Sequence, residues 1–538
     1  MRKNTVIIVA VILTGIVLSL LFPNPVKPIP IIIAIVISLL KYLVPILRRR
    51  TSVYEVDDTL IYLITHMYTV STGKPPRKRL FELQTVAGSY GEYDVILKRI
   101  AALAVEWSYG FGKAIRVIAR NVRNKVFRDF LMRLGELLNI GEDPERFLDV
   151  ERRALLTEYQ AHYGRIIEAT KLLLGVYTSA ISSAIFMAIT VLIFSLMFAS
   201  SPDIVVVVYL GIISALATLA YVLYRVLPRD RVTHTLKIYP PERKKYRILL
   251  IIGIIMSLII GLFAYFTFNE PSLAMALGAI PIIIPGLYAR RIEKKIREIE
   301  SFFPIFIRSF GLTYATVPHV PKALASILRS EYGALTRYLQ RLLARLTVGV
   351  IPKIAWYHFI GETWSEVIRR NVNVLYDAID AGGDLARVGT VLSETTFRIL
   401  DVRKQRTQVS KAFESTTYIV HTLLSAVLSF ILGLLDIFYT LLSSISEAHG
   451  ELPTITILPF QPFPTDLAML ATSVFVLALA VLNAFAIKIA QGGMYETVWV
   501  PLGILLAISG VVMFGVKTMS NVLFGQLLQL QEAIALPI

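Results

Sequence analysis

Apolar runs of membrane length alternate along this chain with two long charged blocks, and the alternation sets its plan. Runs of roughly 20 mostly apolar residues, enough to cross about 30 Å of hydrocarbon, fall at 6–22, 29–47, 172–198, 204–226, 248–268, 273–289, 418–442, 467–487 and 498–516. They predict about nine transmembrane helices. The charged blocks lie at 48–171 and 290–411, and their periodicity is helical. Ile115, Ile118, Val122 and Val126 recur at spacings of three and four and share one face of a helix, with Lys113, Arg116, Arg120 and Arg123 on the other. Leu335, Leu339, Leu342 and Leu346 do the same in the second block, backed by Arg337, Arg341 and Arg345. Strand-type alternation is missing from both. The expected fold is all-α: a polytopic helical membrane protein with two helical-bundle domains outside the bilayer.

Composition agrees with that plan and adds an orientation. Hydrophobic residues are 55% of the chain and mean hydropathy is +0.64, values that place a chain of 538 residues among multi-pass membrane proteins rather than soluble multidomain ones. A net charge of +17 could suggest nucleic acid. A membrane protein, however, keeps Lys and Arg on its cytoplasmic side whatever it does, so no direct nucleic-acid contact is expected. Arg48-Arg49-Arg50, Arg229, Arg231, Arg243-Lys244-Lys245 and Arg290-Arg291 fall on one side if every span crosses. The other side carries Asp203, Glu270, Glu447, Glu451 and the Pro-rich 459–464 stretch, with almost no Lys or Arg. Both charged blocks are therefore expected in the cytoplasm, and with nine spans the carboxyl terminus outside. The amino terminus begins like a signal peptide, but no small-x-small site precedes Pro23 and a second span follows closely, which favours a retained hairpin. The expected partition is a hairpin (1–50), a first bundle (51–171), four spans with a basic loop (172–289), a second bundle (290–411), three spans (412–520) and a tail (521–538).

The blocks also look like copies of one another. Gly141-Glu142-Asp143 and Gly382-Gly383-Asp384 lie 384 − 143 = 241 positions apart, each just before a helix start. Glycine accepts the left-handed conformation that ends one helix, and a carboxylate accepts the free amide protons that begin the next. Each block has an earlier Pro-containing break, at 73–76 and 317–321, where a new amphipathic helix through Leu80 or Leu324 is expected. Each is followed by two spans in immediate succession. Gly141-Glu142-Asp143-Pro144-Glu145-Arg146-Phe147-Leu148 resembles the Gly-Glu turn before the last bundle helix of the F-domain family of type II secretion and type IV pilus machines. The second copy departs from it in lacking the Glu. Two such domains with extra amino-terminal spans resemble the platform proteins of archaella and archaeal adhesive pili. That resemblance implies a hexameric secretion ATPase and pilin or archaellin subunits as partners beside the lipid bilayer, and a homodimer.

Catalytic constellations are missing. Gly110-Phe111-Gly112-Lys113 lacks the spacing of a phosphate loop, neither H-E-x-x-H nor G-x-S-x-G occurs, and the seven histidines are scattered. With no cysteine there is no disulfide, thiolate metal site or cysteine nucleophile. No cofactor, metal or enzyme activity is expected. The Gly382-Gly383-Asp384 turn is superficially like the signature of intramembrane aspartyl proteases, but it sits in a polar block and fits a helix cap. The arginine faces are either solvated surface, lipid-headgroup contacts, or a docking site for an acidic surface on a cytosolic motor. Inside the spans, Gly253, Ser257 and Gly261 allow close helix packing, Asp436 is an intramembrane carboxylate near the outer end, and Lys488 and Lys517 lie close enough to span ends to snorkel. The competing class is a secondary transporter or channel, which would need polar groups clustered at mid-span.

Overall fold

A computed structural model describes residues 57–197, 203–228, 230–449 and 465–534. The expected hairpin at 6–22 and 29–47 and the Pro-rich stretch lie outside the described residues. The first bundle comprises α1 (Asp58–Ser71), a 3-10 turn (Arg77–Leu80), α2 (Glu92–Val105), α3 (Phe111–Ala119) and α4 (Lys125–Ile140), closed by the start of α5 (Pro144–Met197). After α6 (Asp203–Val226) and α7 (Glu242–Phe268) comes α8 (Pro271–Thr316), which leads into the second bundle. That bundle holds α9 (Val320–Ile327), α10 (Thr336–Thr347), α11 (Pro352–Thr363) and α12 (Glu366–Asp380), closed by α13 (Leu385–His449). α14 (Thr465–Gln491) and α15 (Trp499–Ile534) complete the chain. No strand forms among the described residues, and seven of these helices are long and apolar enough to cross a membrane: α5, α6, α7, α8, α13, α14 and α15. The protein is an all-α, multi-pass membrane protein.

The polar and apolar parts are not separated by breaks. α5 runs for 54 residues, α8 for 46 and α13 for 65, which at 1.5 Å per residue makes rods of about 80, 70 and 100 Å. Positions 171, 289 and 411, where the pattern changes from polar to apolar or back, fall inside these helices. α5 buries Leu148, Leu155 and Tyr159 in the first bundle and Tyr177, Ile181 and Leu192 among the apolar spans. α13 enters three cores: Val388 and Leu392 the second bundle's, Ile399 and Val402 the first's, and Leu424 and Leu428 the apolar layer's.

α8 and α13 form an antiparallel pair over most of their length. At one end Gly311 and Gly389 bring the two backbones together; a Cβ on Gly389 would sit 2.7 Å from the Ile307 carbonyl. Farther along, Arg297 donates to Thr407 Oγ1 (3.4 Å) and Arg290 pairs with Glu414 (2.7 Å). At the far end Ser272 and Ser429 line a common cavity. From residue 272 to 311 the contact extends about 60 Å. α7 docks on α8 through the small residues seen in the sequence: Ser257 Oγ donates to Gly278 O (2.6 Å), and Gly253 and Gly261 lie against Pro281, Ala274 and Gly278.

The two bundles share an element order. α1 corresponds to the end of α8, α2 to α10, α3 to α11, α4 to α12 and α5 to α13. Two sequence expectations are corrected here. The run from Ile115 to Val126 is not one helix: α3 stops at Ala119, with Arg120 at its C-cap, and Asn124 Oδ1 caps a new helix by accepting from Phe127 N (3.0 Å). The break at 73–76 is followed only by the short 3-10 turn through Leu80, the next α-helix starting at Glu92. Its counterpart after 317–321 is α9, two turns long.

Candidate partner-docking faces and the bundle junction

The basic residues singled out in the sequence occupy two separate surfaces. Arg116 on α3, Arg120 at its end and Arg123 in the following turn are exposed, while Ile115 and Val122 are buried beneath them. Because the helix breaks, they form a corner rather than a stripe. Arg337, Arg341 and Arg345 do lie on one helix, α10, above buried Leu335, Leu339, Leu342 and Leu346. Here too the stripe is incomplete: Arg345 is half-buried and ion-paired with Glu362 of α11, and Arg341 lies 3.6 Å from the same carboxylate. Arg337 is left as the outward cation. α3 packs on α2 and α4, whereas α10 packs on α9 and α11, so the two faces belong to different bundles and to elements that are not repeat-equivalent.

The paired turns have cap geometry, and the helices they start meet. Gly141 closes α4 at φ +92°, and Asp143 Oδ1 accepts from Glu145 N (3.0 Å). Gly382 stands at φ +71°, and Asp384 Oδ1 accepts from Ala386 N (3.1 Å) and Arg387 N (3.2 Å). Arg387 then reaches Glu145 at 2.8 Å, tying the first turn of α13 to the first turn of α5. The first turn is open to solvent, Glu142 included. Gly383 instead packs against the end of α1, where a Cβ would meet Thr72 Oγ1 at 2.9 Å, and Asp384 N donates to that hydroxyl (3.1 Å).

The densest polar chemistry is at a place that periodicity does not mark, the seam between the bundles. Asp377 on α12 and His66 on α1 are fully buried, and His66 Nε2 donates to Asp377 Oδ2 (2.8 Å). The same oxygen accepts from Gln84 N (2.8 Å), and the other accepts from Arg79, which also holds Asp380 at 3.0 Å. Since Asp377 is an acceptor, the His66 proton sits on Nε2, and the Tyr90 hydroxyl, 2.9 Å from Nδ1, completes the ring's partners. One turn away, Asn373 Oδ1 accepts from Val86 N (2.9 Å) and Ala87 N (3.0 Å), and its amide donates back to Ala87 O (2.9 Å). Glu366 binds Arg369 and Arg370, and Arg370 spans the seam to Asp58 (3.2 Å). Burial alone would push the Glu366 carboxyl up, but the Arg369 hydrogen bonds and the Arg370 charge outweigh it and hold it at about 2. The partners in these contacts are roughly 280–310 residues apart in sequence.

Within the apolar layer the sequence pointed to Asp436. It is half-buried and lines a small cavity of about 20 Å³ with Glu270, Met469 and Lys517, on the side away from the bundles. Lys517 does not snorkel freely; it pairs with Glu270 at 2.6 Å. Lys488 is turned inward, 3% exposed, with Glu293 at 3.7 Å. A second polar group was passed over. Asn483 Nδ2 donates to His421 Nδ1 (3.2 Å), His421 Nε2 donates to Ser509 Oγ (2.8 Å), and the Tyr177 hydroxyl donates to Asn483 (3.0 Å), all of them buried. It joins α5, α13, α14 and α15. A histidine inside a span was the available signal.

Similarity to known proteins extends along nearly the whole chain. It is 26% identical over 504 residues to flagella accessory protein J of Methanocaldococcus jannaschii, covering 90% of this chain and 89% of that protein. It is 22% identical over 491 residues to flagella accessory protein J of Methanococcus voltae, covering 89% and 88%. No family model matches the chain, and no solved structure matches it.

Proposed function

We propose that this chain is the cytoplasmic-membrane platform of an archaellum or archaeal type IV pilus-like assembly machine, and that it acts without catalysing a reaction. In this reading the two bundles lie in the cytoplasm against a hexameric secretion ATPase, and the spans hand pilin or archaellin subunits from the bilayer to the filament. Similarity to two flagella accessory proteins over about nine-tenths of the chain supports the setting. The observation that carries the mechanism is the continuity of α5, α8 and α13 from the bundles into the apolar layer. Among the described residues a push on either bundle reaches the spans through continuous helices, because the seam locks the bundles together and the rods continue into the spans. Glu145–Arg387 and the α8–α13 pairing keep the rods in register.

Docking is assigned to exposed cations that make no ion pair among the described residues. Arg116, Arg120, Arg123 and Arg337 fit an acidic surface, whereas Arg345 is engaged by Glu362. Affinity isolation of the tagged full chain under mild detergent should recover an ATPase, and Arg116→Glu with Arg120→Glu should lower that recovery. Unchanged recovery from the reversed pair would remove the docking assignment.

The transporter reading draws on one observation, the His421–Asn483–Ser509 group. Its polar atoms bond one another, which suits helix packing. Substrate-dependent flux in liposomes, abolished by His421→Leu and accompanied by no ATPase recovery, would favour transport instead.

A further inference from the structure

A second cavity, about 360 Å³, lies where the apolar layer meets the second bundle. Its walls come from the end of α6, the loop before α7, the end of α14 and the loop before α15, together with Trp364 at the C-cap of α11. The loop before α7 is pinned to the bundle by His234, whose imidazole donates to Ile360 O (3.0 Å), and by Glu366 N donating to Val232 O (2.9 Å). The cavity therefore sits at the depth of lipid headgroups on the bundle side of the spans.

Its charges are unbalanced in a particular way. Arg406 and Asp230 both line it but are spent on structure: the Arg406 guanidinium donates to Asp230 (2.9 Å) and to the carbonyls of Pro228, Ile489 and Ala490. Among the described residues that leaves Arg231, Arg243 and Lys488 against Glu496. Lys488 is nearly buried, and among the described residues its one ion-pair neighbour is Glu293, whose carboxylate already serves Arg297 and Met494 N. Arg243 stacks its guanidinium on Tyr239 and Trp364, with 4.7 Å and 5.8 Å to the ring centroids, which fixes its head at the cavity wall.

Trp364 supplies one of the aromatic faces on which that guanidinium rests. It is 5% exposed, and its indole nitrogen is closed off from open space and has no acceptor among the described residues. It also occupies the left-handed region (φ +53°), a costly conformation for a bulky residue, at the helix end that brings it to the cavity. The cations at the cavity wall not spent on structure are Arg231, Arg243 and Lys488. All of them require an acceptor-only, negatively charged ligand.

We propose that this cavity binds a phosphate-bearing anion, held by Lys488 and Arg243. Two sources share that chemistry, the headgroup of an anionic phospholipid and a soluble phosphate. Headgroup depth and a volume many times the roughly 30 Å³ share of one water favour the lipid. The site is separate from the docking faces and stands whether or not the ATPase assignment does.

The test uses the full chain, delipidated in an uncharged detergent and exposed to micelles carrying phosphatidylglycerol, to micelles carrying phosphatidylcholine, or to inorganic phosphate at matched ionic strength. Native mass spectrometry counts retained lipid, and the thermal midpoint reports binding in every arm. Wild type should retain phosphatidylglycerol over phosphatidylcholine. Lys488→Gln and Arg243→Gln should each weaken retention about tenfold. Arg243→Gln alters no buried ion pair, so it remains informative if Lys488→Gln fails to fold. Binding of inorganic phosphate with the same losses would identify a soluble phosphate as the source. Equal retention of both lipids with no response to phosphate, or variants that match wild type in all arms, would overturn the proposal.

Discussion

Replacing Asp377 by Ala should open the seam between the bundles before it unfolds either of them. The side chain is fully buried and is the acceptor for His66 and for Gln84 N, each at 2.8 Å, and for Arg79. Arg79 keeps Asp380 (3.0 Å) and Glu82 O (2.8 Å), so it loses little. His66 Nε2 is left buried without a partner, while Nδ1 keeps the Tyr90 hydroxyl, and the part-buried Gln84 N–H loses its acceptor. Hydrogen bonds to a charged group contribute about 1.5–3 kcal/mol each, and breaking a buried pair from one side costs roughly 3–5 kcal/mol. A loss of about 3–5 kcal/mol is below the roughly 5–15 kcal/mol that holds a domain together, which is why local opening should come first. Hydrogen exchange on the full chain in micelles reads it directly: buried amides of α1, from Leu60 to Ser71, should exchange roughly 10²- to 10⁴-fold faster at one decade per 1.36 kcal/mol. Those of α4 around Phe130 and Leu134, away from the seam, should be unchanged. His66→Ala combined with Asp377→Ala should cost less than the sum of the two. Equal acceleration in α1 and α4, or strictly additive single mutants, would refute the assignment of the seam to this pair.

Three further outcomes follow from other parts of the structure. Glu366 has a folded-state pKa of about 2 against an ordinary 4.5, so its contribution, about 3 kcal/mol, is fully present above pH 4.5 and is lost as pH falls through 2. The stability advantage of wild type over Glu366→Gln should therefore shrink between pH 4.5 and 2 in acid unfolding; a difference independent of pH would contradict it. Gly389→Val should force α8 and α13 apart, since even a Cβ would lie 2.7 Å from Ile307 O and 2.9 Å from Gly311 Cα, and a cross-link engineered between the two helices should fall in yield. On α10, Arg345→Glu should destabilise the second bundle by about 1–3 kcal/mol, because it sets two carboxylates together at Glu362, while Arg337→Glu should leave the thermal midpoint within error.

Local signals in the sequence carried the element types but not the joins. The seven spans among the described residues and both glycine–aspartate turns are legible because hydrophobic runs, a left-handed glycine and a capping carboxylate are properties of a few adjacent residues. The continuity of α5 through Lys171 and of α13 through Lys411 was not, because the backbone hydrogen-bond ladder is indifferent to whether side chains change from polar to apolar. A charge block ends in the sequence without a helix ending in space. The break after Ala119 was readable from Asn124, an N-cap residue preceding Lys-Val-Phe, yet the apolar spacing from Ile115 to Val126 concealed it, since Val122 is buried in the turn as well. Arg345 looked solvated because its partner Glu362 lies 17 positions on, in the next helix. His66 and Asp377, 311 positions apart, belong to different bundles and have no periodic signature at all.

These joins decide what kind of device the molecule can be. If the bundles were tethered to the spans by loops, binding energy at the exposed arginines would be absorbed as loop motion. Here α8 and α13 touch for about 60 Å, from Gly311 and Gly389 through Arg290 and Glu414 to the Ser272–Ser429 cavity, so a tilt imposed at the bundle end must appear at the far side of the apolar layer. The pair is stiffest where side chains are smallest, because backbones in contact at Gly311 and Gly389 leave no rotamers to yield. The polar seam adds the second requirement: with His66, Asn373 and Arg370 reaching across, force on either bundle loads the same rods. Under the proposed function, loosening the seam by Asp377→Ala while Arg116, Arg120, Arg123 and Arg337 stay intact should therefore leave ATPase recovery near wild type and impair filament assembly, separating binding of the proposed motor from transmission of its motion.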